Sequence, residues 1–264
     1  MTTSKSRLRS GMRILGWVIA LLALAYAGIC IAAYSYQRSL IYYPQPRSIT
    51  AAASTLKLQV PGADLIVTVR QAKGTKALVY FGGNGEDVSY NLPALSEAFP
   101  EHAIYLLHYR GYGGSTGSPS EADISADALA LFDKIHTQHA EVLVIGRSLG
   151  SGVAVRLASQ RPVNRLVLVT PYDSIRALAA SAFPWLPVRW LLRDNYDSTS
   201  YAPAVSAKTL VIEAEHDEVI PSASTRRLLA AFKPGVASLK VIPGVGHNDI
   251  SNTPLYMAAL AGKP

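Results

Sequence analysis

The stretch VLVIGRSLGSGVAVRLA (residues 142–158) joins a run of apolar, mostly β-branched residues to a helix-like pattern through a turn rich in glycine. Two interpretations fit this turn. Gly146, Gly150 and Gly152 spell G-x-x-x-G-x-G, a spacing used by some dinucleotide-binding dehydrogenases, and the same stretch spells G-x-S-x-G around Ser148. In the first interpretation the turn cradles a cofactor phosphate, and in the second it presents Ser148 as a nucleophile.

Short apolar runs recur on both sides of this turn, separated by segments of helix length. They are ALVYF (77–81), AIYLLHY (103–109), EVLVIG (141–146), RLVLVT (165–170), TLVIEA (209–214) and SLKVI (238–242). Runs that are apolar on both faces are typical of a parallel sheet covered by helices on both sides. The alternating segments LKLQV and DLIVTVR, which come first, predict an antiparallel hairpin. The sequence therefore predicts a doubly wound, mostly parallel α/β domain over residues 37–264.

The alternation of strands and helices breaks once, after the run that ends at Thr170. The segment up to the next strand is rich in aromatic residues, arginine and proline, and it is too long for a simple crossover. We interpret residues 171–207 as a small cap over the ends of the strands. Its aromatic side chains would form either an acyl pocket or the core of the cap itself: Tyr172, Phe183, Trp185 and Trp190.

An apolar segment, ILGWVIALLALAYAGICIAA (residues 14–33), precedes the domain and follows four basic residues: Lys5, Arg7, Arg9 and Arg13. About 20 helical residues cross a hydrocarbon core of about 30 Å. Basic flanks stay in the cytoplasm, so residues 1–36 predict a cytoplasmic tail and a single-pass anchor, with the domain on the non-cytoplasmic side. A cleaved signal peptide is the alternative, because Ala25-Tyr26-Ala27 has the form of a cleavage site.

The net charge of +7 comes from the N-terminal part of the chain. Residues 1–63 contain seven lysines and arginines and no acidic residue, and the rest of the chain balances 18 basic against 18 acidic residues. A formally neutral domain offers no basic stripe that could follow a phosphate backbone. We therefore expect no binding of nucleic acid.

Residues far from the turn favour the nucleophile. A dinucleotide site needs its glycine turn after the first strand of the domain, whereas this turn follows a later one. Asp173 follows the turn at roughly the sequence distance of a ribose-binding acid, which keeps the dinucleotide interpretation open. A serine nucleophile needs an acid after a later strand and a histidine after the last. Asp217 in AEHDEVIP and His247 in GVGHND meet both requirements.

The nucleophile also needs backbone N–H donors that stabilise the oxyanion of the reaction intermediate. The residue after Ser148 supplies one, the amide of Leu149. The glycine-rich loop FGGNGED, directly after the run 77–81, supplies the second, which we assign to the amide of Asn84. The acidic residues Glu86 and Asp87 follow in the same loop, where they would disfavour negatively charged substrates.

With these residues in place, the sequence resembles the α/β-hydrolase superfamily. Within it, the chain is similar to a membrane-anchored branch that includes protein depalmitoylases and lysophospholipid or monoacylglycerol lipases. The resemblance covers residues 38–255 and rests on seven motifs: RSLIYYP, FGGNGED, LLHYRGYGGSTGSPSE, IGRSLGSGVA, TPYDSI, AEHDEVIP and GVGHND. It implies a Ser148-Asp217-His247 triad. The chain departs from the branch at Gly82, where many relatives carry a histidine that supports the oxyanion loop.

These observations predict a serine hydrolase that cleaves an ester, thioester or amide through an acyl-enzyme, with no metal ion or cofactor. An anchor beside the domain favours acyl substrates that resemble lipids. Two alternatives stay open. The first is an aminopeptidase of the same superfamily, which would bind the substrate amine with an acid in or near the cap, Asp194 or Asp197. The second is a tethered binding protein without activity, which the missing histidine at Gly82 would suit. The sequence does not predict the oligomeric state.

Overall fold

An eight-stranded sheet organises the chain in the computed structural model, which describes residues 2–48 and 54–262, with side chains from residue 11 onward. The strands are β1 (Ser54–Val60), β2 (Ala63–Arg70), β3 (Lys76–Phe81), β4 (Ala103–Leu107), β5 (Glu141–Arg147), β6 (Arg165–Val169), β7 (Lys208–Ala214) and β8 (Ala237–Ile242). The helices are α1 (Thr2–Ile41), α2 (Leu92–Ala98), α3 (Glu121–His136), α4 (Leu149–Ala158), α5 (Ile175–Ala182), α6 (Val188–Leu191), α7 (Ser198–Tyr201), α8 (Ser222–Ala231) and α9 (Pro254–Ala261).

The strands lie in the order β1-β2-β4-β3-β5-β6-β7-β8. Strand β2 is antiparallel to both β1 and β4, and the other neighbours are parallel. The predicted hairpin closes where Val60 pairs with Ala63. The structure thus confirms the predicted fold class, a mostly parallel, doubly wound α/β sheet with a leading antiparallel pair.

Strand β3 illustrates how both faces of the sheet are buried. Val79 and Phe81 belong to one apolar cluster, with side chains from α3, α4 and α8, and Leu78 and Tyr80 belong to a second, with side chains from α2 and α9. Successive side chains of a strand point to opposite faces, which explains the continuous apolar runs in the sequence. The parallel strands end at one edge of the sheet, so the loops after them bring distant residues together there.

The predicted cap segment folds into α5, α6 and α7 between β6 and β7. The hydroxyl of Ser174 accepts a hydrogen bond from the backbone N–H of Ala177 at 3.0 Å and so begins α5. The carboxylate of Glu121, at the start of α3, accepts hydrogen bonds from the backbone N–H groups of Asn195 and Tyr196. The C-terminal part of the cap is therefore tied to the domain by α3.

Helix α1 is apolar and exposed. Its part from Gly11 to Ile41 contains an 18-residue window with a mean hydropathy of 2.5, none of which is buried. The helix is thus long and apolar enough to cross a membrane. It continues beyond Ala33, where the predicted apolar segment ends, to Ile41. The side chains of the predicted basic tail at Lys5, Arg7 and Arg9 lie outside the described residues.

The C-terminal turns of α1 bind the cap. The Gln37 side chain donates a hydrogen bond to the carbonyl oxygen of Leu191 at 3.0 Å. Arg38 donates to the buried carboxylate of Asp194 through two nitrogens, at 2.9 and 3.2 Å, and the Tyr42 hydroxyl donates to the same carboxylate at 3.1 Å. These contacts hold the end of α1 beside the cap.

Candidate active site

Ser148 occupies the tip of the turn between β5 and α4, with φ 49° and ψ −117°. A residue other than glycine is strained there by about 1–3 kcal/mol and keeps this conformation only where its surroundings impose it. A Cβ atom at Gly146 would lie 2.4 Å from the carbonyl oxygen of Gly150, and one at Gly150 would lie 2.1 Å from that of Phe81. Strand and helix approach each other this closely only because both positions are glycine.

The third glycine of the turn packs against the cap. A Cβ atom at Gly152 would lie 2.5 Å from the hydroxyl oxygen of Tyr172 and 3.2 Å from the Cβ atom of Tyr196. The space around all three glycines is thus filled by protein atoms. This packing explains the glycine spacing without a bound phosphate and disfavours the dinucleotide interpretation.

The structure brings Ser148, Asp217 and His247 together. The Nε2 atom of His247 lies 3.0 Å from the Ser148 hydroxyl oxygen, and its Nδ1 atom lies 2.9 and 3.0 Å from the two Asp217 carboxylate oxygens. Because the carboxylate accepts a hydrogen bond from the Nδ1–H group, Nε2 is the ring nitrogen left to accept the serine proton. The backbone N–H groups of Val219 and Ile220 donate to the same carboxylate, at 2.9 and 2.6 Å, and fix its orientation.

Two charged side chains hold the loop that carries His247. The Glu218 carboxylate accepts a hydrogen bond from the His247 backbone N–H at 3.0 Å. Arg147, the residue before the serine, donates to the His247 carbonyl oxygen at 3.4 Å and lies 3.6 Å from the Glu86 carboxylate. The histidine is therefore positioned through its backbone as well as through its ring.

The predicted oxyanion donors flank the serine. Leu149 is the first residue of α4, so its N–H is one of the four at a helix start that have no acceptor within the helix. The loop after β3 lies on the other side, where a Cβ atom at Gly83 would be 3.7 Å from the Ser148 Cβ atom. Asn84 is the next residue of that loop.

Asn84 is fixed by the chain that leaves α1. Its side-chain nitrogen donates to the carbonyl oxygen of Ile41 at 3.1 Å, and its own carbonyl oxygen accepts from the backbone N–H of Tyr43 at 3.0 Å. The Tyr112 hydroxyl donates to the same carbonyl oxygen. The proposed donor loop is therefore held between the segment that follows α1 and Tyr112 of the YRGY motif.

The structure leaves little space for a larger residue at Gly82, where the resemblance led us to expect a histidine. A Cβ atom at Gly82 would lie 2.4 Å from the Val88 side chain and 3.2 Å from the Glu86 carboxylate, so the place of a larger residue is already filled. The Tyr109 hydroxyl donates to the Gly82 carbonyl oxygen at 2.9 Å. Other side chains thus support the loop where a histidine is absent.

Glu86 faces into the oxyanion loop. Its carboxylate accepts hydrogen bonds from the Gly83 N–H at 2.7 Å, from the Tyr80 hydroxyl at 2.8 Å and from the Asn91 side chain. Burial, followed by the nearby charge of Glu86, raises the pKa of Tyr80 well above its ordinary value, so Tyr80 remains a donor. The sequence places Glu86 in this loop but does not reveal these contacts, for which the absent histidine was the available signal.

A cavity of about 1170 Å³ opens at Ser148 between α1 and the cap. Its lining is mostly apolar: α1 contributes Ile29, Ala33 and Leu40, and the cap contributes residues that include Leu178, Phe183 and Trp185. Tyr172 lines it and is buried, whereas Trp190 does not line it and is 81% exposed. The cavity exceeds the 300–1,000 Å³ of ordinary ligand pockets and has room for a long apolar chain.

The acidic residues considered for an aminopeptidase are engaged elsewhere. Asp194 binds Arg38 and Tyr42, and Asp197 accepts from the hydroxyl of Thr199 and the backbone N–H of Ser200 at the start of α7. Neither lines the cavity. The structure therefore offers no support for amine binding by these two carboxylates.

Comparisons with known proteins agree with the observed fold. A family model of the α/β hydrolase fold matches residues 76–194. An uncharacterised protein of Mycobacterium tuberculosis is 35% identical over 250 residues, which cover 88% of each chain. The lysophosphatidylserine lipase ABHD12 of Xenopus tropicalis is 32% identical over 209 residues, 68% of this chain and 53% of the lipase. This chain belongs to the α/β hydrolase fold family.

Solved structures show the same fold for this α/β hydrolase. The esterase Pf2001 of Pyrococcus furiosus superposes with a TM-score of 0.68, over 84% of this chain and 97% of the esterase, at 13% sequence identity. This likeness concerns the fold. The chain spans about half the length of the ABHD12 lipase, so the activity of that whole protein is a guide to hypotheses about this one.

Proposed function

We propose that this α/β hydrolase is a membrane-tethered serine hydrolase that cleaves an ester, thioester or amide bond of an acyl substrate. The observation that carries the proposal is the position of the His247 ring, 3.0 Å from the Ser148 hydroxyl oxygen and 2.9 Å from the Asp217 carboxylate. Hydrogen bonds of this length connect a nucleophile, its base and the group that orients the base.

The reaction proceeds in two stages. The Ser148 oxygen attacks the substrate carbonyl carbon while His247 Nε2 takes the serine proton, and the amides of Leu149 and Asn84 bind the oxyanion. When the intermediate collapses, the bond to the leaving group breaks and His247 returns the proton to that group. Water then attacks the acyl-enzyme with His247 as the base, releasing a carboxylic acid and free Ser148.

The apolar cavity favours an acyl chain as the part of the substrate that is bound. Glu86, Arg147 and His247 are the charged or ionisable lining residues besides tyrosines, and all three have other protein contacts. Each buried CH₂ group contributes about 0.8 kcal/mol, so binding strengthens with chain length. The lipase named among the relatives supports a lipid-like substrate. By the positive-inside rule, the domain lies on the non-cytoplasmic side.

The test is a panel of p-nitrophenyl esters of increasing chain length, an acyl thioester and an aminoacyl amide. We expect hydrolysis by the wild type, with Ser148→Ala lowering turnover on the order of 10⁴-fold or more. Ser159→Ala is the matched control, because Ser159 lies just beyond the other end of α4 and its hydroxyl donates to the Arg156 carbonyl oxygen, away from Ser148.

A fluorophosphonate probe supplies an independent readout, since it reacts with an activated serine. Labelling of the wild type and of Ser159→Ala, but not of Ser148→Ala, is the expected result. Full labelling of Ser148→Ala would refute the assignment of the nucleophile. No labelling and no hydrolysis by the wild type would instead indicate a tethered binding protein.

A further inference from the structure

The cap contacts α1 well within its apolar part. The Tyr26 hydroxyl donates a hydrogen bond to the Trp185 carbonyl oxygen at 2.9 Å. The predicted apolar segment ends at Ala33, about 10 Å farther along the helix axis at 1.5 Å per residue. If α1 crosses the bilayer with that segment, Trp185 lies below the membrane surface, beside lipid acyl chains.

A second contact lies at the expected level of the lipid headgroups. The Arg193 guanidinium of the cap is 5.6 Å from the centre of the Tyr34 ring, directly after the apolar segment. Tyrosine and arginine are favoured at this level, where the ring remains in an apolar layer and the charge reaches water. The two contacts therefore place Trp185 at the level of the acyl chains and Arg193 at the level of the headgroups, and each side chain is of a type that suits its level.

The cap exposes large aromatic side chains near α1. Phe183, Trp185 and Trp190 are 47, 55 and 81% exposed. Phe183 and Trp185 pack edge to face with their ring centres 6.5 Å apart. Exposed aromatic clusters are unfavourable in water and mark surfaces that bind membranes or proteins. The neighbouring apolar helix α1 makes lipid the occupant that fits.

The cavity at Ser148 lies between these same elements. Its α1 wall runs from Ile29 to Ile41, about 18 Å along the helix axis, and its cap wall includes Phe183 and Trp185. One end of this wall thus lies at the depth of the hydrocarbon, and the other lies at Asn84 beside the serine. A lipid acyl chain can move along it without crossing water.

We propose that the segment from α5 to α6 inserts into the non-cytoplasmic leaflet and that acyl lipids reach Ser148 sideways, between α1 and the cap. The final step, cleavage at Ser148, rests on the proposed function, but the insertion does not. The proposal assigns a lipid-binding surface to Phe183 and Trp185, and it defines the substrate as an acyl lipid drawn from the membrane.

Insertion is measured by tryptophan fluorescence of the full chain in nanodiscs. The chain contains three tryptophans, so Trp17→Phe with Trp190→Phe leaves Trp185 alone. Gln160→Trp in a background with all three replaced by phenylalanine is the control, because Gln160 is exposed just beyond the end of α4 that is remote from Ser148. We expect lipids brominated on their acyl chains to quench Trp185 at least threefold more than the single tryptophan of the control. Acrylamide, which quenches from the water, should instead quench the tryptophan of the control more than Trp185.

Access of the substrate is measured with a matched pair of variants on α1. Ala33 lines the cavity, whereas Ile31 does not and is 66% exposed. We expect Ala33→Trp to lower turnover of a long-chain acyl ester embedded in the nanodisc tenfold or more, and Ile31→Trp to lower it less than twofold.

Three results would overturn the inference. They are quenching of Trp185 like that of the control, equal effects of the two α1 variants, and removal of residues 1–27 during export, seen in the mass of the purified chain. Hydrolysis of a soluble p-nitrophenyl ester by the wild type reports on the proposed function separately. If the wild type cleaves neither ester, the proposed function fails, and the fluorescence alone decides whether the cap inserts.

Discussion

Replacement of Glu86 tests whether the proposed oxyanion loop depends on this carboxylate, whose side chain is 12% exposed. Glu86→Ala removes the acceptor of the buried Gly83 N–H, of the Tyr80 hydroxyl and of the Asn91 side chain. It also removes the negative charge that lies 3.6 Å from Arg147. The Gly83 N–H, next to the proposed Asn84 donor, then loses its acceptor.

The expected size of the effect follows from these contacts. A buried donor left without an acceptor costs about 1–3 kcal/mol, and a hydrogen bond to a charged group is worth about 1.5–3 kcal/mol. A loss of about 2 kcal/mol in the stabilisation of the transition state corresponds to roughly a 30-fold lower kcat. Because the oxyanion contact forms in the transition state, we expect a 10- to 100-fold lower kcat and a nearly unchanged KM.

A glutamine at position 86 should have a smaller effect than alanine. Its amide oxygen can still accept from Gly83, whereas the charge opposite Arg147 is lost. Glu97→Ala, an exposed glutamate on α2, is the matched control and should leave kcat unchanged. The assay is steady-state hydrolysis of a p-nitrophenyl ester by each variant in nanodiscs. A kcat for Glu86→Ala within twofold of the wild type, with Glu97→Ala also unchanged, would refute the role of this carboxylate.

Two further predictions concern stability. Gly150→Ala would place its Cβ atom 2.1 Å from the Phe81 carbonyl oxygen, so α4 must separate from β3. We expect the free energy of unfolding to fall by roughly 3 kcal/mol and the Tm to fall by about 6–12 °C. The second prediction concerns His108, whose pKa is lowered by burial from 6.5 to about 4. Between these pH values the unfolded chain binds more protons than the folded one, so the free energy of unfolding falls by up to roughly 3 kcal/mol as the pH falls from 7 to 4. His108→Gln removes this contribution.

Both effects are measured by thermal unfolding in nanodiscs. Gly85→Ala is the control for Gly150→Ala, because a Cβ atom at Gly85 would make only an ordinary contact of 3.7 Å with Tyr43. Equal Tm values for the two alanine variants would contradict the steric argument. Between pH 7 and pH 4, the Tm of His108→Gln should fall less than that of the wild type, and an identical fall would show that His108 does not contribute.

Much of the fold was predictable, because strand runs and glycine turns are encoded by neighbouring residues. The apolar runs around residues 77–81 and 141–146 became β3 and β5, and the long segment interpreted as a cap folds into three helices between β6 and β7. The positions of Asp217 and His247, each after a later strand, were also predictable, because the carboxyl ends of parallel strands share one edge. Their distances from Ser148 were not, because side-chain positions depend on packing.

The neighbourhood of Gly82 marks where prediction from sequence stopped. The missing histidine suggested a weaker loop, but Val88, Glu86 and Tyr109 fill and hold it. Asp194 was a candidate amine ligand because of its place near the cap, and the structure pairs it with Arg38. A motif describes which residues precede and follow one another, whereas these contacts depend on which segments meet in space.

Three features of this protein follow from the sequence alone: the α/β sheet, the turn that presents Ser148 and the apolar length of α1. Each of these depends on local sterics or on hydrophobic periodicity over a few turns of chain. The role of α1 as a wall of the cavity and the contact of its end with Asn84 depend on the folded chain. Those contacts join segments more than 40 residues apart, which meet only when the helices have packed on the sheet and the carboxyl ends of its strands lie beside α1 and the cap.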